Sequence, residues 1–466
     1  MSSLFRKKII VHGDDQPEHH RLARTLSWPH LIALGVGAIV GTGILTLIGV
    51  GAGLAGPSVI LSFAIAGAIC ACAALAYAEM ATMMPASGSA YTYSYVVLGE
   101  IIAWVVGWSL ILEYSLVVST VAVGWSGYAT PLLQSLFGYP LALAQGPELG
   151  GIVNLPAVFI IAVVAGLLIV GTRESATLNA VLVVVKLIAL AVFVAVALPS
   201  FDSANLDPFM PFGFPKAFAP DGVERGVMAA AAIIFFAFYG FDAISTAAEE
   251  TKNPGRDLSI GIVGSMAACV VIYMAVAVTA VGALTYTRFA DSAEPLALIL
   301  RELGQGGAAT FLAGSAVIAL PTVLLAFLYG QSRIFFVMAR DGLLPASLAR
   351  VSSRGSPVRI TLVTAVIVAI IAGLLPLAEI AALANAGTLA AFVAVCICLI
   401  VLRHRAPDAP RPFRAPFGIA VGVAGTLGCL YLFISLPTQT QLYFFLWNAI
   451  GLAVYLLWAR KHAVAI

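Results

Sequence analysis

Gly35–Ile44 reads GVGAIVGTGI, and the fold turns on how that stretch is understood. It lies within an apolar run near 30–53, long enough to span a bilayer. Yet it carries glycine at Gly35, Gly37, Gly41 and Gly43, which a plain spanning helix does not need. Either Gly37 and Gly41 make a small-xxx-small packing face, or the helix is interrupted. An interruption frees N–H and C=O groups at mid-membrane, where they are tolerated only if protein or a cavity receives them. The window alone leaves both readings open, and the rest of the chain decides.

The class follows from composition. The 466 residues are 61% hydrophobic and 10% charged, with mean hydropathy +1.03, a balance no water-soluble domain carries without a vast exposed apolar surface. The chain reads as an all-α polytopic membrane protein. Apolar runs of about 18 residues or more fall near 30–53, 57–83, 98–131, 154–171, 176–198, 227–248, 259–285, 307–339, 358–376, 379–402, 417–436 and 441–459, twelve in all. The third and eighth exceed bilayer thickness and are expected to tilt or to extend past the surface. Residues 1–29 are polar and basic, without the apolar core of a signal peptide.

Orientation is read from lysine and arginine. With the N-terminus inside, nineteen of the 24 basic residues fall in inside segments. Lys216, Arg225, Arg288 and Arg301 fall outside, and Lys186 lies within the membrane. The positive-inside rule then puts both termini in the cytoplasm of a cell membrane. All six cysteines lie in apolar spans without His or carboxylate neighbours, where thiols act as small hydrophobes. No metal, cofactor or nucleic acid partner is expected, and protein partners are not readable.

A second interruption sharpens the first. The sixth span contains FFAFYGFDAIS, Phe235–Ser245, broken by Tyr239-Gly240 and Asp242. It lies five spans after the first, and an odd offset reverses direction through the membrane. Matched interrupted helices in two halves point to inverted repeats with a midplane site between them. The half-helix that begins offers N–H groups and a positive dipole end, and the one that stops offers carbonyls and a negative end. Together they suit a zwitterion. The amides of Thr42, Gly43 and Ile44, beside Gly41 and with the Thr42 hydroxyl, are assigned to a carboxylate. The carbonyls of Phe236, Ala237 and Tyr239, with Ile39, are assigned to an ammonium. An α-amino acid carries both groups, with side-chain selectivity expected from helices 3, 8 and 10.

GAIVGTGI on helix 1, Tyr77–Tyr93 after helix 2, Phe236–Pro254 and Tyr329–Pro345 together resemble the bacterial form of the cationic amino acid transporter branch of the amino acid/polyamine/organocation superfamily. The resemblance runs from about Ser27 to Ala415. It implies a LeuT-type five-plus-five inverted repeat with broken helices 1 and 6: residues 30–198 and 227–402 as the repeats, 417–459 as two additional helices, and 1–29 and 460–466 as cytoplasmic ends. It further implies movement of amino acids by alternating access. Leu45 stands where many members carry Phe after GTGI, a departure that bears on the outer lining and on side-chain preference.

Lys186 lies about ten residues into the fifth span, about 15 Å deep at 1.5 Å per residue. A lysine there costs about 2.5–3.5 kcal/mol on insertion scales and marks a functional site by default. The alternative is an ammonium fixed on helix-end carbonyls as glue. The resemblance adds that proton-coupled members carry a lysine on helix 5 where sodium-coupled ones hold an ion. Lys186 is therefore the expected proton carrier, with Glu113 on helix 3, at the position of a glutamate in proton-coupled members, as its partner. Asp242 reads as a cap on a half-helix rather than a substrate contact. Glu79, Glu249 and Glu250 with Arg333 and Arg340 are candidate inner-gate ion pairs or, equally, solvated membrane-end charges. Every histidine lies at or near the inner surface, which argues against a His relay.

Gly124-Trp125-Ser126-Gly127 matches the GxSG pattern of intramembrane serine proteases, but that chemistry needs a base at the serine and the spans supply no His. A channel would need a filter repeat, which is absent. The sequence reads as a proton-coupled amino acid importer and not an enzyme. Exchange or facilitated diffusion, sodium coupling, and an amino acid receptor without transport stand as alternatives.

Overall fold

The computed structural model describes residues 26–85, 88–170, 176–345 and 358–462. Most of the expected N-terminal segment, with His12, His19 and His20, and the tail beyond His462 lie outside them. Within the described residues the chain is almost wholly helical, because in lipid every backbone polar group must find its partner inside the protein. The run near 30–53 is three helices, α1 (Trp28–Ile39), α2 (Thr42–Leu45) and α3 (Leu47–Ala55). There follow α4 (Val59–Met83), the short α5 (Ser89–Val97), α6 (Glu100–Phe137), α7 (Leu155–Val170) and α8 (Ala176–Ala197). A two-stranded hairpin, β1 (Ala217–Phe218) and β2 (Glu224–Arg225), precedes α9 (Val227–Ile234) and α10 (Asp242–Thr246). Then come α11 (Pro254–Ala283), the short α12 (Pro295–Glu302), α13 (Gly306–Arg340), α14 (Val358–Leu374), α15 (Leu377–Arg405), α16 (Gly418–Ser435), α17 (Thr438–Val454) and α18 (Arg460–His462).

Among the described residues nine helical stretches are long and apolar enough to cross a membrane, and Trp28–Ile39, Leu155–Ile169 and Val358–Leu374 are shorter apolar helices. The lipid-facing surface is built from side chains such as Val271, Leu442 and Leu457, at 69%, 65% and 74% exposure. No single face of a water-soluble protein carries that much exposed aliphatic surface. The two overlong runs are the 38-residue α6 and the 35-residue α13, about 57 and 52 Å at 1.5 Å per residue, against a hydrocarbon core of about 30 Å. The apolar-run reading did not separate out α5 and α12, which are one short helix each, set before a long one.

The breaks organise the packing around them. α1 packs on α11 and α8, α9 packs on α4, and α6 and α13 lie against each other across the middle. Pro321 inside α13 lacks an N–H, so the carbonyl four residues earlier has no helical donor. The Trp125 indole on α6 donates to that carbonyl, Val317 O, at 2.9 Å. α17 is tied to α6 by Trp108 and Trp447, each indole donating to the other's backbone carbonyl at 2.9 and 3.0 Å. Glu100 is buried at the start of α6 and accepts from the Tyr95 and Tyr455 hydroxyls.

Candidate functional site

Both expected interruptions are present, and they face each other. α1 stops at Ile39, Val40 is extended (φ −74°, ψ 96°) and helix resumes at Thr42. The first backbone bond of the new helix runs from Leu45 N–H to Gly41 O at 3.2 Å, which leaves the Thr42, Gly43 and Ile44 amides without helical acceptors. In the other segment α9 gives way to a 3-10 turn at Phe235–Ala237, and helix resumes at Asp242 after Gly240 at φ +123°. A Cβ on Gly240 would lie 3.0 Å from the Ala38 carbonyl carbon, and one on Gly43 would lie 2.3 Å from Ala237 Cα. The two breaks thus meet backbone to backbone, which a side chain at either glycine would prevent. Gly35 and Gly37 are packing positions, seated against Ser265 and Val183, whereas Gly41, the other half of the Gly37/Gly41 packing face, is at the break as the N-cap of α2.

Between the breaks lies a cavity of about 10 Å³, room for about one water molecule. Ile39, Gly41, Thr42 and Gly43 line it from the first break, and Phe236 and Tyr239 from the second. Val117 and Val121 of α6 and Val323 and Phe327 of α13 close its sides. Of the expected site residues, Ile44 and Ala237 are not on its wall: both are fully buried, Ala237 directly against Gly43. α15 contributes nothing to the lining. The Thr42 hydroxyl and the Tyr239 hydroxyl are buried with no protein partner. The Ile39 carbonyl accepts from Tyr273 Oη at 2.8 Å, so one of its lone pairs is taken. Phe327 and Tyr239 meet edge to face. The walls are aliphatic and aromatic, and the polar groups come from backbone and two hydroxyls.

Asp242 is expected as a half-helix cap, but the helix it begins has Phe241 at its N-cap and no side-chain cap. Asp242 instead accepts from the Gly240 N–H at 3.1 Å and from Tyr114 Oη at 3.1 Å, which ties the break to α6. Lys186, 3% exposed on α8, donates to Gly37 O at 3.0 Å and to Thr322 Oγ1 at 3.2 Å. Its ammonium therefore grips the last turn of α1 just before the break and, through Thr322, the Pro321 region of α13. Glu113 is buried on α6 with neither oxygen hydrogen-bonded, and a Cβ on Gly387 of α15 would lie 3.1 Å from its own. The hydrogen bonds that Lys186 makes to Gly37 and Thr322 do not include Glu113.

For Glu79 the inner-gate expectation needs correction. Glu79 is fully buried and pairs with Arg403 at 2.5 Å and Arg411 at 3.0 Å, and it also accepts from the Ala415 N–H. Its partners are the end of α15 and the loop after it, because that loop folds back over the end of α4. The side chains of Glu249, Arg333 and Arg340 lie outside the described residues. Glu250 takes part through its backbone: Leu26 N–H bonds Glu250 O at 3.0 Å and Lys252 N–H bonds Leu26 O at 2.8 Å. His30, His404 and His462 are exposed. Ser126 of the GxSG match donates to Asn154 at 2.6 Å, and Gly124 is there because a Cβ would lie 2.3 Å from the Thr42 methyl.

Sequence reading missed Asn385. Buried on α15, its amide donates to Ala232 O at 2.8 Å and Ile233 O at 2.9 Å, the carbonyls that the end of α9 leaves free. An asparagine in the middle of an otherwise apolar span was the signal available.

The chain matches the amino acid permease family model over residues 26–458. It is 42% identical to a branched-chain amino acid permease of Bacillus subtilis, over 99% of this chain and 98% of that one. It is also 42% identical to a methylthioribose transporter of the same organism, over 100% and 99%. A vacuolar cationic amino acid transporter of Arabidopsis thaliana is 38% identical over 88% of this chain and 68% of its own. All three are named as transporters or permeases.

Proposed function

The chain belongs to the amino acid permease family, and on that premise we propose that it is a secondary carrier importing neutral, aliphatic L-amino acids across a bacterial plasma membrane by alternating access, coupled to protons. The observation that carries this reading is the meeting of the two breaks. The amides of Thr42 and Gly43, which have no helical acceptors, and the backbone of Phe236 and Tyr239 across the same cavity offer both ends of a zwitterion a partner. The walls of Ile39, Val117, Val121, Val323 and Phe327 suit an apolar side chain and supply no carboxylate for a second cationic group.

The twelve-helix inverted repeat is supported by packing. Counting the broken segments as single helices, the second packs on the seventh, the third on the eighth and the fourth on the ninth. The first packs on the seventh as the sixth packs on the second, and the fifth on the eighth as the tenth on the third. A shift of five positions maps this pattern onto itself, and the short helices α5 and α12 precede equivalent long ones. The basic-residue asymmetry supports cytoplasmic termini.

Proton coupling rests on Lys186. A charged ammonium holds the end of α1 through Gly37 O; a neutral amine holds it less firmly, so its protonation state biases the segment that forms the site. A sodium ion at that position would face the ammonium's repulsion. The relative named for methylthioribose brings in a neutral sugar as the competing substrate, but such a ligand leaves the opposed dipole ends without charged partners. Proteoliposomes loaded with leucine decide between them. Counterflow of labelled leucine, inhibited by valine and not by methylthioribose, is the expected result, and competition by methylthioribose alone would overturn it.

A further inference from the structure

Gly124-Trp125-Ser126-Gly127, the stretch that matches a serine-protease pattern, has another use in this chain. Val117 and Val121 line the central cavity, and Gly124 and Tyr128 continue the same face of α6, each about one turn beyond the last. The residues between them fix that part of α6 to its other neighbours. Trp125 donates to Val317 O of α13 and Ser126 to Asn154, just before α7. A Cβ on Gly127 would lie 2.7 Å from Ala293 O, in the segment before α12. Gly124 and Tyr128 therefore meet α2 from a held backbone.

α2 itself is a single turn of four residues, flanked by Gly41 at φ −151°, ψ −145° and Thr46 at φ −122°, ψ −48°. With non-helical backbone on both sides, its placement depends on what touches it. In a continuous helix Leu45 O would receive the Gly49 N–H, but that group bonds Thr46 O at 3.1 Å, and Tyr128 Oη supplies the donor at 2.6 Å. At the other end of α2, a Cβ on Gly124 would lie 2.3 Å from the Thr42 methyl, 2.6 Å from its Oγ1 and 3.0 Å from its Cβ. Both branches of the threonine press on bare glycine. Rotation offers no escape, because a threonine fills two of the three staggered positions on its Cβ, and every rotamer keeps one branch in the contested space. A serine fills one position and can turn away.

We propose that Gly124 is a positioning residue for the substrate carboxylate: the missing side chain, together with the Tyr128 bond, sets where α2 sits and so where the Thr42 and Gly43 amides point. This deepens the amino acid reading above and rests on it. The carboxylate is common to every amino acid, so a fault at Gly124 acts on leucine and valine alike.

Counterflow kinetics in proteoliposomes, with labelled leucine and labelled valine, test it. Gly124→Ala is expected to raise KM about tenfold for both substrates through overpacking against α2, and to change kcat by less than about twofold. In a Thr42→Ser background the same substitution should raise KM only about twofold, because the serine can turn away from the added methyl. A contact that served the fold alone would lower the melting midpoint and leave KM unmoved. If Gly124→Ala does not melt cooperatively, Tyr128→Phe, which removes only the donor to Leu45 O, is expected to raise KM about threefold for both substrates. An unchanged KM in the folded variant, or an equal rise for Gly124→Ala in the threonine and serine backgrounds, overturns the proposal while the amino acid reading stands. A wild type that exchanges neither leucine nor valine overturns that reading, and the proposal with it.

Discussion

Gly43 has no room for a side chain, since a Cβ there would sit 2.3 Å from the Ala237 backbone. Neither backbone can yield without separating the breaks. Gly43→Ala is expected to cut kcat/KM for amino acid uptake by about ten- to a hundredfold, from overpacking of about 1–3 kcal/mol, with uptake in proteoliposomes as the check. Gly166→Ala, within α7 and with nothing within 4 Å of the added Cβ, is the control for expression. Lys186 is testable in a different way. Lys186→Gln keeps a donor for Gly37 O but cannot titrate, so counterflow is expected to persist while accumulation driven by an inward proton gradient is lost. Gradient-driven accumulation by this variant equal to wild type would remove Lys186 from the coupling step.

At the scale of elements, the interruptions were legible because glycine clusters and an aspartate inside apolar runs have few explanations other than broken backbone or close packing. The ion-pair partners were not. Glu79 and its cations, Arg403 and Arg411, are over three hundred residues apart in sequence, and no local pattern announces which loop folds back over the end of α4. Asn385 went unread for a related reason: its partners are carbonyls, which carry no sequence identity. Glu79 is buried against two guanidiniums, so removing its charge leaves both uncompensated. Glu79→Gln is expected to destabilise the protein by about 3–5 kcal/mol, seen as a lower midpoint in thermal unfolding, and Arg403→Lys to restore less than the wild-type value because the fork geometry is lost. A latch ties the β1–β2 hairpin to the turn between α16 and α17, where Glu224 accepts from the Thr438 N–H and hydroxyl at 3.1 and 2.8 Å and pairs with Lys216 at 3.1 Å, and it is pH-dependent. Burial pushes the Glu224 carboxyl up, but the Thr438 and Lys216 hydrogen bonds outweigh it and hold the group below its usual range. A carboxyl depressed on folding contributes stability above its unfolded pKa of about 4.3, and that contribution is lost as pH falls through the folded value. The difference in melting midpoint between wild type and Glu224→Gln is therefore expected to be largest near neutral pH and to shrink under acid; a constant difference would exclude the latch.

Among the described residues, hydrogen bonds tie the elements around the central cavity together on two sides. On one side, the Leu26 backbone is joined to Glu250 and Lys252, and Tyr91 Oη donates to Asp341 at 2.9 Å. On the other, Asn385 holds the end of α9 and Tyr128 Oη donates to Leu45 O at 2.6 Å. The chamber holds about one water, and on the proposed alternating-access reading one seal opens while the other holds. The seals differ in kind. The first combines backbone bonds with one side-chain bond, Tyr91 to Asp341, whereas the second depends on the side chains of Asn385 and Tyr128 alone. Asn385→Ala leaves the Ala232 and Ile233 carbonyls without their donor, a cost of about 1–3 kcal/mol borne only while α9 is closed on α15, because water reaches those carbonyls once they part. The balance should therefore tilt toward the outward-open form, by about tenfold or more in population. A cysteine at Val121 on a background without the six native thiols reports it: Asn385→Ala is expected to raise its rate of labelling by an impermeant reagent from outside, and to leave labelling from the cytoplasmic face unchanged or slower. Faster labelling from both faces would mean that the seals are not reciprocal and that the molecule is a leak rather than a carrier.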